Sequence, residues 1–246
     1  MTRWRAAGLH LLISAVIASA VLLVMLMVWY PPPLFRAMGG VGLALILVGV
    51  DVVLGPSLTL VVFKSGKRGL KFDLAVIGAF QIAALVYGCY VISLARPAFI
   101  VFVKDQFQVA TPVMVAEQLD KARYPQFRSP SWSGPVLAFG EFPKEHARQQ
   151  ELMFLGLQGI DLHVFPEYYA PYEEHRAEVL SRAWPLARMR EEEPRVARVV
   201  DEWLASSGAR EEDLRYVPLR GRVSWVAVLI DAKTAQPVKM LLTDRI

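Results

Sequence analysis

The chain has 246 residues, 54% of them apolar, with a mean hydropathy of +0.36 and a formal net charge of +4. That is more apolar than an ordinary soluble domain. The charge does not point to nucleic acid: residues 1–95 carry seven Lys/Arg against two Asp/Glu, and residues 96–246 carry 20 against 21, so the polar half has no basic excess to hold phosphates.

Three apolar runs open the chain, at about residues 8–30, 39–63 and 72–94. As helices of 23–25 residues, each can cross a hydrocarbon core of roughly 30 Å with some tilt. Ala18-Ser19-Ala20 looks like a signal-peptide cleavage site, but the apolar run continues to Trp29, so an uncleaved anchor is expected. Residues 1–95 thus read as a three-helix transmembrane bundle. Arg3 and Arg5 precede the first run, and Lys64, Lys67, Arg68 and Lys71 crowd the loop between the second and third, whereas residues 31–36 hold one positive charge. The positive-inside rule puts the N-terminus and the lysine loop in the cytoplasm and residues 96–246 on the other side. Trp29 and Tyr30 then fall at the outer interface.

Asp51 lies at the centre of the second run. A carboxylate at that depth costs roughly 2.5–3.5 kcal/mol on insertion scales, which the 15 Val, Leu, Ile and Phe residues of the run can offset. The aspartate should therefore face protein. At about 1.5 Å per residue, Ser19, Asp51 and Gln81 lie within roughly one helical turn of each other in depth. They are expected to converge, with Asp51 accepting from Gln81 or Ser19 or itself protonated. Pro56, which has no N–H and crowds the carbonyl of Val52, predicts a kink one turn beyond. Gly49 and Gly55 would let another backbone approach. A packing hydrogen bond, a partner contact and proton or ion coupling all remain open for Asp51; the lack of a second carboxylate at its depth argues against a transport relay. Asp73 is expected to cap the third helix, and His10 to be interfacial.

Residues 96–246 read as one α+β domain. Residues 98–103 and 106–109 form a hairpin turning on Lys104-Asp105. Thr111-Pro112 opens a short helix to about Ala122, and 135–139 is a strand. Helices are expected over about 144–157, 172–184 and 192–206, the last ended by Gly208, with Glu191-Glu192-Glu193 as its negative first turn. A second hairpin runs over about 222–231 and 236–242. Strands at both ends with helices between favour α+β over a doubly wound sheet.

Chemical motifs are sparse. The single cysteine, Cys89, lies in the third run, so no intramolecular disulfide can form. No CxxC, GxSxG, P-loop or HExxH occurs. No catalytic, cofactor-binding or metal role is expected; His163 and Glu167 are separated by Pro166 and would not share a helix. Tyr168, Tyr169 and Tyr172, between Pro166 and Pro171, are either a loop packed on the core or a recognition surface, since amphipathic aromatics favour interfaces.

Residues 3–14 (Arg-Trp-Arg-Ala-Ala-Gly-Leu-His-Leu-Leu-Ile-Ser), the block Asp51-Val52-Val53-Leu54-Gly55-Pro56-Ser57-Leu58-Thr59 and the segment Gly69-Leu70-Lys71-Phe72-Asp73-Leu74 resemble the type IV pilin accessory proteins, the TfpX/TfpZ kind. Weaker likenesses continue through Ala95-Arg96-Pro97, Val101-Phe102-Val103-Lys104-Asp105, Asp213-Leu214-Arg215-Tyr216 and Pro218-Leu219-Arg220-Gly221. The resemblance implies an inner-membrane factor in type IV pilus assembly that works with a cognate major pilin and modulates its stability, pool or incorporation. It carries no catalytic residues. A pilin has an apolar helix in the bilayer and a globular head outside, so the partner would be met at two levels. A small membrane sensor or transport component, and a membrane-tethered periplasmic enzyme, are the alternative readings.

Overall fold

The computed structural model describes residues 2–243; the last three residues of the expected 96–246 domain lie outside them. Three helices are long and apolar enough to cross a membrane: α1 (Arg3–Trp29), α3 (Gly40–Val62) and α4 (Leu70–Ala95). A single turn, α2 (Leu34–Ala37), joins the first two. The Thr2 side chain caps α1 by accepting from the Arg5 N–H at 3.3 Å. Asp73 does not cap α4: the helix begins earlier, behind Gly69, and Asp73 in its first turn pairs with Lys67 at 2.6 Å.

The irregularity expected at Pro56 occurs as a wider turn. Residues Gly49–Leu54 are π-helical, between α-helical Gly40–Val48 and Gly55–Val62. Proline cannot donate to the Val52 carbonyl and its ring crowds that oxygen, so a regular α pattern cannot pass through. The widened segment absorbs the mismatch and contains Asp51.

The helices pack by small residues. Ala6, Ala7, Ser14 and Ala18 are buried on α1, and Gly55, Pro56 and Thr59 on α3, while Leu9, Leu12, Ile13, Val16 and Leu23 point outward. Both α1 and α4 lie against the Gly55–Val62 segment of α3.

Beyond α4 come β1 (Phe99–Val103), β2 (Gln106–Ala110), α5 (Pro112–Val115), β3 (Val136–Gly140), α6 (His146–Leu157), β4 (Tyr169–Pro171), α7 (Arg176–Arg182), α8 (Leu186–Glu192), α9 (Pro194–Ser207), β5 (Leu214–Arg220), β6 (Trp225–Asp231) and β7 (Pro237–Thr243). They build one seven-stranded sheet in the order β4-β3-β1-β2-β5-β6-β7. The β1–β3 and β2–β5 pairs are parallel and the others antiparallel. Both expected hairpins form. Thr111 opens α5, yet its side chain makes no cap bond, and the rest of the expected helix is a 3-10 turn over Ala116–Lys121. Glu191 and Glu192 end α8 instead of starting the next helix, because Pro194 cannot continue α8 and begins α9.

Strand β5 has no counterpart among the sequence expectations, and it carries Pro218, a residue disfavoured in a central strand. It is tolerated for a geometric reason. Tyr216 exchanges both backbone hydrogen bonds with Trp184, on the side of β5 away from β6. Pro218, two residues on, faces that same side, so its missing N–H removes nothing from the β5–β6 ladder.

The sheet is buried on both faces. Phe99, Val101 and Val103 face a core with Phe127, Leu162 and Tyr169; Ile100 and Phe102 face another with Phe107, Phe139 and Val228. The second core does not stop at the sheet. It continues through Ala37, Leu34, Tyr30 and Met25 to Ala18. The helical part and the sheet are therefore joined by more than the chain at residues 95–96. Tyr30 is fully buried and donates to the Ile92 carbonyl at 3.1 Å. The Val223 N–H donates to the Ala37 carbonyl at 2.9 Å, and Gly221 packs so close to Ala37 that a Cβ would overlap it. Arg96 is buried beneath Trp132, its guanidinium 4.3 Å from the ring centre, and Trp132 packs on Trp29. Loop 31–39 and the sheet domain thus lie at one end of the helices, and loop 64–69 at the other.

Candidate functional site

The π-helical segment turns Asp51 inward, where it is 5% exposed. Gln81 of α4 reaches it, donating from Nε2 to the Asp51 backbone carbonyl at 3.3 Å. The expected convergence of these two is present, but the bond goes to the main chain. The Oδ2 of Asp51 and the Oε1 of Gln81 are buried without a hydrogen-bond partner among the described residues. Gly55 makes the approach of α4 feasible: a Cβ there would overlap the Gln81 amide. Pro56 is buried beside it, while Gly49 has open space where a Cβ would sit.

Ser19 does not join the group. It is exposed, and Ser14 is buried in its place. Counted from Gly8, Ser19 matches the depth of Asp51, but the helix starts at Arg3, which puts Ser14 about 16 Å along it. Ser14 also shares the buried face with Ala7, Ala18 and Met25, whereas Ser19 is one residue, about 100°, out of phase with Ala18. His10, expected at the interface, lies on the same side and its Nδ1 meets the Thr59 hydroxyl at 2.6 Å.

His10 and Ser14 border a cleft of about 200 Å³ between α1 and α4, with Asp51 and Gln81 at its base and Ile13, Ile17, Gly78 and Ile82 along its sides. A second groove of about 280 Å³ runs between α3 and α4 toward the sheet domain. Apart from Asp51 its lining is apolar or aromatic, including Leu43, Leu47, Leu85 and Ile92. Asp51 borders both. The polar side chains His10, Ser14, Thr59, Asp51 and Gln81 therefore occupy one half of the helical layer and give way to apolar ones in the other.

The tyrosines of the sheet domain have other tasks. Tyr169 is fully buried, donates to the His163 carbonyl and packs edge-on against Phe99 and Phe127. Tyr172 is 2% exposed and donates to the Ala235 carbonyl at 2.7 Å. Burial pushes both phenols well above their ordinary pKa. In this fold neither is a surface contact: Pro166 opens the turn before edge strand β4 and Pro171 ends it, and the strand pairs with β3 and turns Tyr169 inward. Tyr168 alone is partly exposed, and its hydroxyl accepts from the Arg148 Nε at 2.7 Å.

Glu167 pairs with Arg148 at 2.9 Å, and His163 is buried, so the two do not form a site. Burial pulls the His163 pKa down to about 4. Asp161 is held below its usual range: burial opposes this, but hydrogen bonds from Gln108 and the Leu162 N–H outweigh it. The surface missed by the sequence reading is α6, where Met153, Phe154 and Leu157 are 64%, 64% and 81% exposed and only Leu152 is buried. Its apolar spacing signals a helix without telling which apolar side chains will find a neighbour.

A family model described as fimbrial assembly protein FimB matches residues 1–39. A fimbrial assembly protein of Dichelobacter nodosus, serogroup E1, is 32% identical over 185 residues, covering 74% of this chain and 71% of that protein. The chain belongs to the FimB family of fimbrial assembly proteins. The serogroup I protein of the same organism is equally similar, at 32% over 186 residues, with 74% and 71% covered. The protein of serogroups C1 and C2 is 37% identical over 105 residues, covering 42% of this chain and 79% of that protein. No solved structure matches. Membership bears out, at the level of family, the resemblance to type IV pilus accessory proteins. The residues matched by the FimB family model carry the His10 and Ser14 side of the cleft and the α2 turn that enters the core of the sheet.

Proposed function

We propose that this FimB-family chain is an inner-membrane accessory factor for type IV pilus assembly that binds a cognate major pilin and modulates its stability or incorporation, without catalysis. The observation that carries this is the helical layer itself. It packs through Ala, Gly and Ser, turns most of its Leu, Ile and Phe outward, and keeps a carboxylate at the base of a cleft. Outward apolar surface of this extent has no place in water and suits lipid or another apolar helix. The names of the relatives supply fimbrial assembly; the cleft supplies a place for a pilin's apolar helix.

In this reading the N-terminus and loop 64–69 are cytoplasmic, and the sheet domain is periplasmic, at the level of the pilin head. Its contact there is the exposed Met153, Phe154 and Leu157 side of α6, with Tyr168 nearby on the same domain. The domain is fixed to the helices through Tyr30, Leu34 and Ala37, so the two contacts are held at a set distance and each raises the effective concentration of the other.

The test is copurification of pilin with the full chain from crosslinked membranes. It is paired with reporters, active only outside the cytoplasm, fused at Gly66 and at the C-terminus. Pilin recovery, a silent Gly66 fusion and an active C-terminal fusion are expected. The reverse reporter pattern, or normal surface pili and pilin levels after deletion of the gene, overturns the reading.

A further inference from the structure

We infer that the α1–α4 cleft is a receptor site for one apolar transmembrane helix that presents a hydrogen-bond donor to Asp51 and Gln81. The inference rests on the pilin-handling reading and adds the chemistry of recognition. Asp51 is 95% buried by its 5% exposure, and its Oδ2 has no partner among the described residues; neither has the Oε1 of Gln81. The Gln81 amide is already engaged with the Asp51 main-chain carbonyl, and His10 is turned to Thr59. What is left over is two acceptors in an apolar setting.

A buried acceptor left unsatisfied is destabilising, and no bulk water is available at this depth to relieve it. The complement of such a site is a donor. The two oxygens of a carboxylate interchange by rotation about its last torsion, so either can be turned to the cleft. The cleft has the size for one or two side chains, about 200 Å³, and Gly78 on its side lets a neighbouring backbone come close. The occupant that combines apolar surface, close approach and a donor is a helix, with Ile13 and Ile17 packing on one side of it and Ile82 on the other.

The experiment places a photocrosslinking amino acid at Ile82, which lines the cleft and is 65% exposed, or at Phe80, which is 74% exposed and does not line it. Irradiation of intact membranes containing pilin should give a pilin adduct at Ile82 about tenfold stronger than at Phe80, the ratio for about 1.4 kcal/mol. Asp51→Leu should reduce the Ile82 adduct about tenfold, and Asp51→Asn, which keeps an acceptor oxygen, should retain it within about threefold. Gly78→Leu, which fills the cleft and leaves Asp51 intact, should abolish the adduct at an unchanged level of the full chain. Equal capture at the two sites overturns the inference. So does an adduct at Ile82 with lipid or with a second copy of this chain, or full capture after both Asp51→Leu and Gly78→Leu. Pilin copurification with a silent Ile82 site overturns the cleft alone; failure of copurification as well overturns the pilin reading with it.

Discussion

The helical layer and the sheet domain solve opposite packing problems in one chain. Over Arg3–Val24 of α1 the buried residues are Ala6, Ala7, Ser14 and Ala18, and the large apolar side chains mostly face out until Met25, which enters the core shared with the sheet. In the sheet domain the buried residues are Phe99, Phe102, Phe107, Tyr169 and Leu162, and charges such as Arg148, Glu167 and Arg190 line the surface in pairs. The difference fits a helical layer that faces lipid and a sheet domain that faces water. In water, burying a large apolar side chain is the main source of stability, whereas between lipid and protein it gains little, and close backbone approach decides.

The largest effect expected from this contrast is in the sheet. Phe102→Ala removes a fully buried ring packed against Phe107 and Phe139 and should cost about 3–5 kcal/mol, read as a lowered midpoint in the unfolding of the detergent-solubilised protein. A loss below about 1 kcal/mol would break the comparison.

A smaller effect is specific to the sheet domain and depends on pH. His163 has a folded pKa near 4, below its unfolded value of about 6.5, so the unfolded chain takes up a proton that the folded chain refuses. Stability from this group is present above about pH 6.5 and is lost as pH falls toward 4, by about 1–3 kcal/mol. Asp161, also depressed, is a carboxylate lost in acid in the same direction. Unfolding midpoints at pH 7.5 and 5 should separate, and His163→Gln should narrow the gap.

The smallest effects sharpen the contrast on α1. Ala18→Leu, 4% exposed, overpacks the helix contact and should cost about 1–3 kcal/mol. Leu12→Ala, at a position 61% exposed, should change stability by less than about 0.5 kcal/mol in the same assay. In a water-facing helix packed on a core the leucine would matter more, so the reverse order would argue against a lipid-facing α1.

Much of this was legible because it depends on local pattern. The three helices fall within five residues of the apolar runs, and the pairing of Asp51 with Gln81 follows from depth alone. Depth could not choose between Ser14 and Ser19, because that depends on where α1 starts and which way each side chain points. The hairpins β1–β2 and β6–β7 are readable from apolar runs around turn residues, whereas β5 carries a proline whose cost vanishes only when its neighbours are known.

By itself the sequence determined what is one-dimensional: helix length, the polar spot within it, charge asymmetry and the two hairpins. Tertiary structure decided what depends on neighbours distant in the chain. It buried Tyr169 and Tyr172, which composition alone would equally place on a surface. It also drew Tyr30, Leu34 and Ala37 into the core of a sheet whose nearest strand begins at Phe99. Burial is a property of two surfaces, and a single segment of sequence describes only one of them.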